Sequence, residues 1–499
     1  MRKKRLAKNT ISSLVFQVVT IICGFILPRF ILAHFGSEIN GLVNSITQFL
    51  QIIAFMELGV GSVVQSSLYK PLAEHDKVKI SQIIVSGGKF FKKLACIILV
   101  YVVLLIFTYP FISNQSFGFM YTASLICAMS ISSFAQYYFG VINRLLLSAD
   151  QKGYIQYNAQ TMTLVLNTIA CVILIKMNCS IQVVKLATSL IYMIRPLYLA
   201  IYVKKNYDVD RKIKYIGEPI KQKWNGVAQH VASVVLESTD NVVLTVFSTL
   251  SDVSVYSVYH LVVYGVKQLL LSSKNGIQAL MGELWAKQEL QSLNNFFGWV
   301  EWGIHTAVVF IFTCTGLLII PFVSVFTLGV TDALYIRPLF AVLITCANGM
   351  HCLRLPYNLM ILAGGHYKET QKNYIIAAIM NIVVSIATVK LWGLVGVAIG
   401  TLCAMVYQTI WMAIYDSHNF INWPMKKFIK QVGVDVITVL LAVIVTSPVK
   451  MKTISYVDWT MMAVKIVFIV GVVIVCVNAV FYREKLIKLM KKVVNKIKR

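Results

Sequence analysis

Apolar runs of about 18 to 25 residues, separated by short polar connections, recur along the chain from residue 11 to residue 482. A run of that length crosses the hydrocarbon core of a bilayer as an α-helix, because each residue rises about 1.5 Å. The pattern predicts about fourteen spans. The first six are Ile11–Ala33, Gly41–Ser67, Leu94–Phe111, Phe117–Leu147, Tyr157–Met177 and Ile181–Val203. Six more follow a basic connection: Val227–Thr249, Val255–Met281, Trp299–Pro321, Leu334–Ala363, Tyr374–Val389 and Leu394–Tyr415. A final pair is Val432–Thr446 and Trp459–Tyr482. Beyond it, Leu486, Met490, Val493 and Ile497 fall at helical spacing among lysines, the pattern of an amphipathic helix on a membrane surface.

The first twelve spans read as a duplicated unit of six. Gly61 and Gly276 are about 215 residues apart, and Asn167 and Lys176 recur as Asn381 and Lys390 at nearly the same offset. An even number of spans gives both copies one orientation, which implies two parallel lobes with a substrate cavity between them. The expected organisation is a first lobe over 1–207, a basic cytoplasmic linker over 208–226 and a second lobe over 227–416. The added pair of spans occupies 417–482 and a basic amphipathic tail 483–499. The first lobe lacks, at Ile181–Ser189, the glycines of Gly393–Thr401, so close packing of its sixth span is not expected.

Composition agrees with the rhythm: 58% of residues are hydrophobic and the mean hydropathy is +0.73, too apolar for a soluble core to hide. Only 13% are charged, yet the net charge is +26. Lysine and arginine collect in alternate connections: Arg2–Lys8, Lys70–Lys93, Lys204–Lys223 and Lys488–Arg499. The intervening connections, such as His34–Asn40 and Pro110–Ser116, carry neither. The positive-inside bias puts both termini in the cytoplasm of a multi-pass plasma-membrane protein. Ser37, in an outer turn, is expected to be accessible from outside and Lys212 from inside. Because the basic residues flank spans, anionic lipid headgroups and not nucleic acid are the expected partners. The first run reads as a retained span without a signal-cleavage site. Of ten cysteines without metal-ligand spacing, nine read as packing residues and Cys179 alone sits in an outer turn, with no metal or cofactor implied.

Ionisable residues inside apolar runs cost several kcal/mol and face a cavity or a partner. Arg29 follows Pro28 in the first run, and Glu57 lies in the second. Glu237 and Asp240 share a face of the seventh with His230 two turns away. His260, Lys267 and Lys274 recur every seven residues in the eighth; Arg144 and Arg354 lie in the fourth and tenth. Arg144, Lys176, Lys390 and Lys465 also fit snorkelling positions. Two readings fit Glu237 and Asp240: neutralising partners of Lys267 and Lys274, or, with His230, an ion-coupling site. The cation excess of Arg29, Lys267, Lys274 and Arg354 suits a phosphate-bearing substrate. Trp299, Trp302 and Trp459 read as interfacial belt residues. No carboxylate cluster is arranged for acid–base or metal-assisted chemistry, which argues against an enzyme.

Three stretches carry a family resemblance: Lys8-Asn9-Thr10 leading to Pro28 and the turn Phe35–Leu42, then Glu57-Leu58-Gly59-Val60-Gly61, then Gly393–Thr401. Together with the span count they resemble the Wzx-type polysaccharide flippases of the MOP (multidrug/oligosaccharidyl-lipid/polysaccharide) exporter superfamily. The resemblance implies a V-shaped, MATE-like pair of lobes with alternating access. It also implies a cationic cavity holding the diphosphate of an undecaprenyl-linked oligosaccharide. Arg29, Lys267, Lys274 and Arg354 take that role here. Implied partners are the lipid-linked glycan, a polysaccharide polymerase and glycosyltransferases. Alternatives are a peptidoglycan-precursor flippase and a cation-coupled MATE-type drug exporter, the latter favoured by Glu237 and Asp240.

Overall fold

The computed structural model describes residues 2–52, 54–113, 117–214, 217, 227–272, 274–421 and 423–497. The side chains of Glu57, His230 and Glu237, and most of the linker 208–226, lie outside the described set. The described residues form helices, with no strand among them. Eleven helical stretches among them are long and apolar enough to cross a membrane. The chain divides into two compact units, Met1–Ser254 and Val255–Arg499.

The first unit contains α1 (Arg2–Ile52), α2 (Ala54–Glu74), α3 (Lys77–Ile112), α4 (Phe119–Ala135), α5 (Val141–Ala149), α6 (Gly153–Lys176), α7 (Ile181–Asn206) and α8 (Val227–Phe247). The second begins within α9 (Leu250–Leu271). It continues through α10 (Lys274–Ala286), α11 (Leu290–Phe326), α12 (Pro338–Leu353), α13 (Leu355–Gly364), α14 (Tyr367–Trp392) and α15 (Leu394–Asn419). It closes with α16 (Met425–Thr446), α17 (Tyr456–Phe481) and α18 (Arg483–Ile497).

Helix α3 shows how these helices divide their faces. Phe91, Leu94, Ile98, Val102 and Leu105 are buried, while Val100, Val103, Leu104 and Phe107 are exposed. Both faces are apolar, so the outward one belongs against lipid and the inward one against protein. Within the first unit, α1 packs on α6, α4 on α7, and α8 on α1 and α2.

The turn expected near residue 36 is a single break within α1, where Gly36 adopts φ 82. That left-handed conformation carries no penalty only for glycine. Ser37 just after it is fully buried, so it is not the accessible position expected of it; Glu38 is the exposed one. Asn40 Nδ2 donates to Ser254 Oγ at 2.7 Å and tightens the same corner. Asn9 of the N-terminal motif clamps the turn into α6, donating to Gln151 O at 2.9 Å and accepting from Tyr154 N at 2.7 Å.

Asn167 and Asn381 are both buried. Asn167 Nδ2 donates to Tyr192 OH across α6 and α7 at 3.2 Å. Asn381 Oδ1 accepts from Ser385 Oγ at 3.0 Å and from Thr401 Oγ1 at 3.4 Å across α14 and α15. The interfaces differ in closeness. A Cβ on Gly396 would lie 2.5 Å from the Thr388 carbonyl, and one on Gly400 2.2 Å from Ser385 Oγ, so α14 and α15 meet backbone to backbone. Between α6 and α7 a side chain intervenes, Cys171 Sγ lying 3.2 Å from Thr188 Oγ1.

Several long helices are interrupted. A π turn, Gln136–Gly140, separates α4 from α5. The α12/α13 junction falls at Arg354, two residues before Pro356, which lacks the donor a continuous helix requires. The seven-residue stripe of His260, Lys267 and Lys274 is shared by two helices, with His260 and Lys267 on α9 and Lys274 opening α10.

Candidate functional site

The α12/α13 break turns a cation inward. Arg354 is 6% exposed, and its Nη2 lies 3.3 Å from His351 Nδ1 one turn earlier. Its guanidinium carbon is 6.0 Å from the Tyr374 ring centre, at the outer limit of a cation–π contact. Lys267, on α9, is 4% exposed, with Nζ 5.3 Å from the Tyr264 ring. Val266 and Leu270, its neighbours, pack on Val308, Phe312 and Cys352 of α11 and α12, which holds Lys267 against the helix carrying His351. Lys274 is exposed. Lys267, Lys274 and Arg354 all exert their field on His351. Three of the four expected cavity cations therefore form one constellation in the second unit.

Arg29, the fourth, belongs to the first unit, half-buried in α1 one residue after Pro28. That unit holds cations the sequence reading passed over. Arg195 of α7 stacks 3.9 Å over the Tyr192 ring, donates to Thr163 Oγ1, and reaches Gln160 O at 3.4 Å. Lys185, on the same helix, lies beside Cys171. Both sit inside the apolar run Ile181–Val203; the signal was two charges in a span. Arg144 of α5 is partly buried beside Tyr157. Of the expected ion-coupling set, Asp240 is 5% exposed on α8, while the side chains of His230 and Glu237 are outside the described set.

Helix α11 carries a second polar layer that hydropathy did not reveal. Glu301 is 2% exposed and accepts from Tyr357 OH at 2.7 Å and from Trp423 Nε1 at 3.1 and 3.0 Å on its two oxygens. Trp302, read from sequence as an interfacial belt residue, is 5% exposed and donates to Asn478 Oδ1 of α17 at 2.7 Å. His305 Nδ1 lies 2.6 Å from Asp435 Oδ2 of α16, whose other oxygen accepts from Gln431 Nε2 at 3.0 Å. Glu301, Trp302 and His305 thus face three neighbours within about one helical turn. Hydrogen bonds of this kind join helices where lipid gives no hydrophobic drive. The layer fastens the final pair of spans to the rest of the second unit.

At the C-terminal end, Lys485 of α18 donates to Gly298 O of α11 at 2.7 Å and lies within 6.0 Å of the Trp299, Trp302 and Tyr482 rings. Burial pushes its ammonium down to about 8, against the opposing pull of Glu301.

No family model matches the sequence, and no curated protein does. Among solved structures, the fold is similar to the lipid II flippase MurJ in an inward closed conformation. That match has a TM-score of 0.72 at 14% identity and covers 95% of this chain and 99% of that one. An inward-facing multidrug resistance MATE family transporter of the MOP superfamily gives 0.66 at 14% identity, covering 80% of this chain and 95% of that one. A MATE transporter of Vibrio cholerae gives 0.59 at 13% identity over 82% and 95%. The protein is a multi-pass membrane protein with the fold of MOP-superfamily transporters.

Proposed function

We propose that this protein is a flippase, carrying a lipid-linked oligosaccharide with a diphosphate headgroup from the inner to the outer leaflet of the plasma membrane by alternating access. The observation that carries the reading is the burial of two cations, Lys267 and Arg354, in the second unit, both within electrostatic reach of His351, with the exposed Lys274 beyond them. Lys267 and Arg354 are buried there, where cations hold phosphate oxygens more strongly than in water. Arg29 of the first unit takes the same role. The substrate is the undecaprenyl-diphosphate-linked repeat of a surface polysaccharide, supplied by glycosyltransferases and consumed by a polymerase. Both termini lie in the cytoplasm. The likeness of fold to the MurJ and MATE structures fits a flippase and a drug exporter alike. A peptidoglycan-precursor flippase is the second reading, favoured by the likeness to a lipid II flippase over nearly the whole chain. The buried Asp240 on α8 favours the drug-exporter alternative, because an acidic residue suits a cationic substrate.

The test is a deletion strain assayed for surface polysaccharide and for undecaprenyl-linked oligosaccharide. The reading expects loss of polymer with the lipid-linked repeat trapped inside, restored by the wild-type chain and not by Lys267→Ala at equal membrane abundance. Accumulation of peptidoglycan precursor would favour the second reading. Intact polymer with new sensitivity to cationic drugs would overturn the flippase.

A further inference from the structure

The polar layer on α11 holds more acid than its hydrogen bonds require. Three carboxyl groups, those of Glu301, Asp416 and Asp435, are each at least nine-tenths buried in the second unit. Glu301 is satisfied by Tyr357 and Trp423, and Asp435 by His305 and Gln431. Asp416, in the last turn of α15, is 0% exposed, and neither of its oxygens has a protein partner. His305 is likewise 0% exposed, with Nδ1 on Asp435 and Nε2 without a partner. Tyr357 links the groups: its hydroxyl is on Glu301, the His305 ring stands edge-on to it at 6.3 Å, and Asp416 and Asp435 both lie within electrostatic reach of it.

The surroundings are aromatic. Phe297, Trp423 and Phe428 close around Tyr357, with ring centres 5.6 to 5.7 Å apart. The charged and titratable groups facing the layer from the adjoining helices are Lys485 and Tyr482, within electrostatic reach of Glu301, then Lys427 and Lys430 beside Lys485, and on the side of Asp416 Tyr415, which is hydrogen-bonded to His366 and within reach of Glu369. None of these lysines hydrogen-bonds Asp416, both of whose oxygens lack a partner. An isolated carboxylate in such a medium costs several kcal/mol and takes up a proton or a cation instead. Protonation removes the charge without needing any further ligand.

We propose that Asp416, together with the His305–Asp435 pair, is a proton-binding site. A proton arriving from water forms an O–H bond on an Asp416 oxygen and neutralises it; on release that bond breaks and the proton returns to water. His305 Nε2 is the second acceptor, and protonation there gives an imidazolium paired with Asp435. No other bond changes. The site is separate from Asp240 and its helix, which belong to the first unit. Its use in driving export rests on the transporter reading; its capacity to bind protons does not.

Purified full-length protein would be stepped from mildly acidic to mildly alkaline pH and followed by infrared difference spectroscopy. The expected result is a protonated-carboxyl band that changes across the step, is lost in Asp416→Asn and is retained at a shifted position in Asp416→Glu. Because Asp416 makes no side-chain hydrogen bond to protein, Asp416→Asn is expected to keep the wild-type unfolding temperature, separating loss of the band from loss of fold. An imidazole signal lost in His305→Gln would identify the second acceptor. A carboxyl band unaffected by Asp416→Asn, or one that ignores pH, would overturn the proposal. If the deletion strain keeps its polysaccharide, the flippase reading fails while the infrared result still decides the proton site.

Discussion

A methyl group at position 41 would sit 1.8 Å from the Leu250 carbonyl oxygen, so Gly41 is the only residue type that lets α1 and the start of α9 touch there. Gly41→Val is expected to lower stability by about 1 to 3 kcal/mol, the usual cost of overpacking, read as a fall in unfolding temperature. Lys485 gives a pH dependence with a definite sign. Its amine titrates near 8 where it is docked and near 10.5 where it is free, so the docked tail favours the uncharged form. The cost of docking is full below about pH 8 and lifts as pH rises through that value toward the free one. Tryptophan fluorescence, reporting Trp299 and Trp302, is expected to titrate with a midpoint near 8 and to be flat in Lys485→Met. Lys267 was legible in the sequence because it stands at the middle of an apolar run. Glu301, His305 and Asp435 were not, because they lie toward the ends of their runs, where a polar residue reads as interfacial. Only packing shows that these positions are dry.

Among the elements, the interruptions carry the most information. The α12/α13 break was signalled by Pro356, although the sequence reading drew one continuous span there. The π turn at Gln136–Gly140 has no comparable punctuation, since no proline marks it and a single surplus residue leaves hydropathy unchanged. Deleting Phe139 is expected to restore regular helix with α5, and Arg144, kept on their present face, because the wide turn absorbs one surplus residue without turning the helix that follows. The protein should insert at normal abundance and export at the wild-type level; loss of export would mean that the π turn itself is needed. The tight α14/α15 contact was legible as the glycines of Gly393–Thr401. The looser α6/α7 interface was legible as their absence, because backbone approach depends directly on which residues lack a side chain.

For the molecule as a whole, hydropathy and the positive-inside bias specify a multi-pass architecture and an orientation. They cannot specify which intramembrane charges share a unit, since that depends on packing between segments far apart in sequence. The orientation is tested by labelling single cysteines: Glu38→Cys should react with an impermeant reagent in intact cells and Lys212→Cys only after permeabilisation. The reverse pattern at both would invert the topology. The polar layer on α11 also bears on how the chain is made. Gln431, Asp435 and Asn478 enter the bilayer with α16 and α17, after α11 has been made, and each carries a group that lipid solvates poorly. Their partners Trp302 and His305 are synthesised more than a hundred residues earlier and wait in the membrane unpaired until that hairpin arrives. Maturation therefore includes a capture step, in which the already inserted α11 draws the α16–α17 hairpin out of the translocon. A chain that stops short of residue 425 would keep the partners of Glu301 but present a bare His305 to the machinery that inspects membrane proteins for removal.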